Sequence, residues 1–188
     1  MRRRLDCTRA LQPVMLFMRW LIGFVLASCP ALASAQAPTE AQIKAAYVLN
    51  FAKFTDWPEK APGAADASLV VCVIGNQETV AGFVSIEGKA VQTREVRVRS
   101  NPQLTELSSC HVLYIDAAER ASVPGAFKVA SSRPILTVSD SMGFADAGGM
   151  LGLVLVDGKI RFDANREAAQ AAGLRLRAQL LALARTVR

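Results

Sequence analysis

The first 35 residues constrain everything that follows, because they set the compartment in which the rest of the chain folds. Arg2, Arg3, Arg4, Arg9 and Arg19 precede an apolar run from Trp20 to Ala27, and Ala33-Ser34-Ala35 closes the segment with small side chains. This is the layout of a secretory leader, with an apolar core too short to stay as a membrane-spanning helix. Cleavage is expected before Gln36, giving a leader over 1–35 and one domain over 36–188. Leu26-Ala27-Ser28-Cys29 offers a competing lipoprotein site in which Cys29 would become residue one, although Pro30 follows it directly.

The leader also explains the charge. The chain carries 22 Lys+Arg against 16 Asp+Glu, a formal net charge of +6. The five leader arginines and Asp6 account for most of that excess, so the basicity is no argument for nucleic-acid binding. A body of about 150 residues is enough for a single well-buried core. Cys7 and Cys29 fall in the leader, leaving Cys72 and Cys110. Two cysteines in an oxidising compartment most simply pair, which would stabilise the fold by about 4 kcal/mol in the chain-entropy model. The alternative is two separate buried thiols.

Along the body, Thr39 and Gln42 have capping-box spacing, and Ile43, Tyr47, Phe51 and Phe54 recur as one stripe of a helix. Pro58 is expected to end that helix at Trp57. Ala61 to Ala65 reads as a linker. Ser68–Ile74 and Cys110–Ile115 read as buried strands, Val96 and Val98 mark a half-exposed one, and Ile135–Val138 is strand-like. Short helices are expected over Asn76–Phe83 and Ala117–Ala130, the second broken by Pro124-Gly125. Met150–Val156 is almost continuously apolar and should lie in the centre of a sheet. Asp157-Gly158 then signals a hairpin whose return strand alternates Ile160 and Phe162 with Arg161 and Asp163. Asn165 caps a last helix, on which Gly173, Leu176, Leu180, Leu183, Ala184 and Val187 share one arc, with Arg177 inside the apolar sector and Arg175 on the solvated face. Strands alternating with helices and ending in a hairpin give an α/β fold: a layered sandwich with a mixed central sheet flanked by helices, in a single domain.

The chemistry of catalysis is not assembled. His111 is the single histidine and stands within an apolar strand, so no multi-histidine metal site forms and no HExxH spacing occurs. No GxSxG elbow or SxxK motif is present, and Gly143, Gly148, Gly149 and Gly152 lack the Lys-Ser/Thr of a phosphate loop. Asp140, Asp146, Asp157 and Asp163 sit at turns or strand ends, where turn chemistry accounts for them, and a hydrolase built on Asp140 or Asp163 is a distant third reading. The sequence points to a protein that is not an enzyme and needs no cofactor or metal.

Several blocks in order carry a resemblance. Ala45-Ala46-Tyr47-Val48-Leu49-Asn50-Phe51-Ala52-Lys53-Phe54-Thr55-Asp56-Trp57-Pro58 resembles the opening helix of the YfiR family of periplasmic proteins. Val71–Gly75, Cys110–Ile115, Ile135–Asp140, Gly148–Met150, Ile160–Phe162 to Asn165, Ala172–Leu174 and Leu180-Leu181 continue it. The resemblance implies a periplasmic, non-catalytic repressor that binds the periplasmic sensor domain of an inner-membrane diguanylate cyclase, lowering cyclic-di-GMP and attached, biofilm growth. It also implies an OmpA-like outer-membrane lipoprotein as a second partner, and leaves room for a homodimer. Cys72 and Cys110 fall where the family's structural disulfide is expected. Some members carry a second bridge before the central strand, but Phe144 to Gly152 contains no cysteine.

For contact with a partner, Trp57 and Pro58 are the surface candidates at the helix exit, joined by Arg177. The family pattern resembled here favours a small polar residue where this chain has Arg177. Tyr47, Phe51 and Phe54 read as a core stripe that could border the interface. The competing functional reading is a periplasmic small-ligand sensor with its pocket between sheet and helix.

Overall fold

The computed structural model describes residues 37–58, 68–119, 121, 123–130 and 133–188. The leader features, Cys29 and the Ala61–Ala65 linker lie outside the described residues. All the elements fall within one unit, Pro38–Arg188.

Helix α1 (Glu40–Lys53) opens with the expected capping box: Thr39 Oγ1 accepts from Gln42 N–H, and the Gln42 side chain accepts from Thr39 N–H. A two-residue strand β1 (Thr55–Asp56) follows, so the helix stops before Trp57-Pro58 rather than at it. Next come β2 (Ser68–Ile74), α2 (Gln77–Val84), β3 (Ala90–Val91) and β4 (Arg94–Ser100). A 3-10 helix (Leu104–Ser109) leads to β5 (Val112–Ile115). The helix expected over Ala117–Ala130 is instead a 3-10 turn (Ala117–Glu119) and a separate α3 (Val123–Ala130). Pro124 stands in the first turn of α3, where its missing N–H costs nothing.

Strand β6 (Leu136–Ser139) precedes the hairpin β7 (Leu151–Val156) and β8 (Lys159–Ala164). The hairpin turns at Asp157 and Gly158, both with positive φ (50° and 70°), as a two-residue turn requires.

The C-terminal segment departs most from expectation. In place of one long helix there are α4 (Arg166–Ala171), β9 (Arg175–Leu176), α5 (Ala178–Leu181) and β10 (Thr186–Val187). Gly173 causes the break: it takes a left-handed φ of 79°, and its N–H bonds back to Gln170 C=O, ending α4 as a helix C-terminus commonly does. The supposed arc through Gly173, Leu176 and Leu180 therefore never lies on one helical face.

Eight strands form one sheet in the order β10-β8-β7-β6-β5-β2-β4-β3. β4, β2, β5, β6 and β7 are mutually parallel, while β3 against β4 and β8 against β7 are antiparallel. This is a mixed sheet of the doubly wound kind, reversing direction at β2. Side chains alternate accordingly. Leu69, Val71, Val73, Val112, Tyr114, Leu136 and Val138 face α1 and α2, where they meet Val48, Phe51 and Phe83. Cys72, Ile74, Leu113 and Ile115 face the other way, against Leu107 and α3.

Cys72 and Cys110 are bridged on that second face, with Cα atoms 5.8 Å apart. His111, buried beside it, accepts the Val70 N–H at Nδ1 (3.0 Å), so its ring serves the β2 edge rather than solvent. At the reversal point Asn101 exchanges two bonds with the Gly75 backbone (3.0 and 3.1 Å), and Thr79 donates to Asp116. The crevice that such sheets offer to ligands is thereby laced by side chains.

The α1 stripe is also redistributed. Ala41, Ala45, Val48, Phe51 and Ala52 form the buried face, whereas Tyr47 and Phe54 are half-buried and Ile43 is exposed. Small alanines win because α2 crosses α1 closely: a Cβ on Gly82 would lie 2.3 Å from Ala41 Cβ. Tyr47 leans instead on the hairpin, donating its hydroxyl to Ile160 C=O at 2.7 Å.

Candidate partner interface

The chain leaves α1 at Phe54, whose backbone (φ −106°, ψ 18°) is no longer helical, and the Thr55 hydroxyl donates back to Phe51 C=O (2.7 Å). The chain becomes β1 and pairs antiparallel with β9, Thr55 opposite Leu176 and Asp56 opposite Arg175. Arg177 N–H donates to Phe54 C=O at 2.9 Å and completes the junction. Arg175 and Arg177, two residues apart on an extended backbone, lie on one side of the chain while Leu176 between them is buried.

Both guanidiniums converge on Asp56. Arg177 donates Nε and Nη2 to Oδ1 (2.9 and 2.6 Å), and Arg175 donates Nε and Nη2 to Oδ2 (3.0 and 2.7 Å). The Arg177 hydrogen bonds hold the Asp56 carboxyl below its ordinary range; partial burial opposes them and Arg175 adds to them. Reciprocally, Asp56 raises Arg177. Arg177 is therefore not a cation stranded in an apolar sector, and Arg175 is not merely solvated, although its side chain is 79% exposed.

Trp57 and Pro58 continue from this pair. Trp57 packs at the margin of the core, with the Arg94 guanidinium 6.0 Å from its ring centroid, the outer reach of a cation–π contact. Pro58 approaches the α4 terminus, its Cγ lying 3.9 Å from where a Gly173 Cβ would stand. Trp57 and Pro58 follow Asp56 directly in the chain, and Arg177 is bonded to the Asp56 carboxylate, so these three residues lie along one β1–β9 junction.

The other sequence candidates go elsewhere. Phe51 is core (1% exposed), stacked obliquely on Phe162, and Tyr47 borders the hairpin. Phe54 contributes its carbonyl rather than its ring to the Arg177 junction. Asp56 and Arg94 belong to the patch with nothing in the sequence to single them out, and Arg175, expected only on a solvated face, joins them. The Arg-Leu-Arg alternation at 175–177 has a strand's period of two, and that was the available signal.

The fold and this patch define an α/β protein that presents a pinned, arginine-rich surface beside an aromatic side chain. The chain belongs to the YfiR/HmsC-like family, whose model matches residues 41–185. That family comprises periplasmic regulators of cyclic-di-GMP signalling and is regulatory rather than catalytic. Among solved structures, the chain is similar to a conserved domain protein from Vibrio cholerae O1 biovar El Tor str. N16961. The two share 12% identity with a TM-score of 0.42, over 63% of this chain and 54% of that one. The match thus spans about half of that protein's length. Among the described residues, no helix is long and apolar enough to cross a membrane.

Proposed function

We propose that residues 1–35 direct export and that the body, 36–188, represses an inner-membrane diguanylate cyclase by binding its periplasmic sensor domain. Membership of the YfiR/HmsC-like family across residues 41–185 is the observation that carries this reading. The patch supplies the contact: Trp57 and Pro58 offer apolar area, and Arg177 and Arg175 form a charged rim held in place by Asp56. Tryptophan and arginine are the side chains that protein interfaces favour, and a rim held rigid before binding loses little entropy on docking. An OmpA-like outer-membrane lipoprotein would compete for the repressor and so release the cyclase.

Deleting the gene should raise cellular cyclic-di-GMP and attached growth, and the effect should vanish when the cyclase is deleted as well. Expressing the body without residues 1–35 should mimic deletion. Purified exported protein should bind the isolated sensor domain. Arg175→Ala, at a side chain 79% exposed, should weaken that binding with little change in melting temperature, whereas Trp57→Ala should weaken it at some cost in stability because the ring packs on the core margin. Unchanged cyclic-di-GMP together with no sensor binding would sink the repressor reading and leave the small-ligand sensor in its place.

A further inference from the structure

The hairpin β7–β8 outruns its neighbour in the sheet. Pairing of β6 with β7 stops at Ser139 opposite Gly152, yet β7 continues to Val156. The direction of the remaining peptide groups follows from one bond: Asn165 N–H donates to Met150 C=O at 2.7 Å. Antiparallel alternation then turns Gly152, Val154 and Val156 toward β8, and Leu153 and Leu155 toward the line of β6. Past Ser139 that line is empty of strand among the described residues. The Leu155 N–H and C=O therefore lie on an open sheet edge, and the Leu155 side chain is 70% exposed.

The edge borders a notch of about 520 Å³ whose other walls are the N-terminal turns of α1 and the loop after β6. Leu155, Ile160 and Met142 provide its apolar surface, Met142 being 93% exposed. Glu40, Asp140 and Asp146 stand around it. Arg185 is committed to Asp163 and Arg188 to Asp146 (2.6 Å), while Lys44 is shared by Glu40 (2.7 Å) and Asp140 (2.6 Å), so one carboxylate is in excess and the balance is acidic on the Glu40 side. Sheet edges are ordinarily protected by proline, lysine or a bulge, whereas Leu153-Val154-Leu155-Val156 carries none of these.

We propose that this notch accepts an extended segment of a partner protein as an added strand along β7, in line with β6. Four residues of edge offer about 13 Å of pairing length. The segment would alternate apolar side chains, to cover Leu155 and Ile160, with lysine or arginine facing Glu40, whose side chain is 68% exposed. This is recognition by strand addition, with backbone bonds giving affinity and the alternating side chains giving selectivity. The surface shares no residue with the Trp57–Asp56–Arg177 patch and does not depend on a cyclase being the partner.

The probe is a blocked hexapeptide of alternating lysine and valine, titrated into purified protein and followed by amide NMR and hydrogen exchange. Saturable binding should slow exchange at the Leu155 amide by about tenfold or more. N-methylating alternate residues of the peptide, tried in both phases, should abolish binding in the phase that faces β7. A glutamate–valine peptide should bind more weakly. Leu155→Pro removes an N–H that β8 does not use, so it should block binding with the hairpin intact. No saturation, or binding that neither protects Leu155 nor responds to N-methylation, would overturn the proposal. Protection of Leu155 without peptide, accompanied by a doubled mass, would overturn it in favour of a second copy at the edge.

Discussion

Arg177 donates both Nε and Nη2 to a single oxygen of Asp56, at 2.9 and 2.6 Å, although the two residues lie 121 positions apart. Arg175 occupies the other oxygen in the same way, so one carboxylate joins β1 to β9. Asp56→Ala would leave two guanidiniums facing each other without a counter-charge. It should lower the melting temperature by a few degrees, more than Arg177→Ser, which leaves the Arg175 fork in place. A double-mutant cycle between Asp56 and Arg177 should be non-additive. Additive effects would show that the pair is not coupled.

Acid should weaken the fold through the same groups. Arg177 hydrogen bonds lower Asp56 from its ordinary 3.8, and Arg185 hydrogen bonds lower Asp163 likewise, each against some opposing burial. A carboxyl whose pKa is lower folded than unfolded contributes stability that is complete above 3.8 and is lost as pH falls through the folded value. Denaturant midpoints measured from about pH 5 down to about pH 2.5 should therefore fall less steeply for Asp56→Asn combined with Asp163→Asn than for wild type. Parallel curves would exclude these two carboxyls as the cause.

The loop before β7 retains room for a second bridge. A Cβ built on Gly152 lies 3.8 Å from Ala145 Cβ, the mean separation in disulfides. Ala145→Cys with Gly152→Cys should oxidise spontaneously and add about 2 kcal/mol of stability, as expected for so short a loop. Breaking the longer Cys72–Cys110 loop should cost more, about 4 kcal/mol. Free thiols in the oxidised double variant, counted by alkylation and mass, would contradict the geometry.

Gly82 is where α2 touches α1. An added methyl would meet Ala41 Cβ at 2.3 Å and the Ala41 carbonyl carbon at 2.7 Å, so Gly82→Ala should destabilise by about 1–3 kcal/mol. Ala41→Gly in the same chain should restore only part of the loss, because the backbone clash remains. Full restoration in a denaturation titration would mean that the helices can separate freely.

Much of the sheet was legible because its code is local. The apolar runs at Ser68–Ile74 and Leu136–Ser139, the Asp157-Gly158 turn and the Thr39–Gln42 box each state their geometry within a few residues. The C-terminal segment was not legible, since Leu174, Leu176 and Leu180 fit a helical period as well as the strand–turn–helix they adopt. Tertiary pairing with β1, together with the left-handed turn at Gly173, decides between them. Trp57, Pro58 and Arg177 could be singled out as unusual surface types. That Arg177 joins the other two at Asp56 depends on a pairing between opposite ends of the chain, which no local window contains.

That pairing has a kinetic side. Thr55 finds Leu176 only after nearly the whole domain has been threaded into place, because every strand of the parallel core lies between them in sequence. Contacts of such wide separation form late, after the loop entropy has been overcome by the core. The Asp56 junction should therefore be largely absent from the folding transition state, and weakening it should leave the folding rate nearly unchanged while speeding unfolding. On this view the carboxylate governs how long the native state lasts once formed, and with the folding rate unchanged its whole contribution to stability is felt as lifetime, the quantity that counts where cleavage outpaces reclosing.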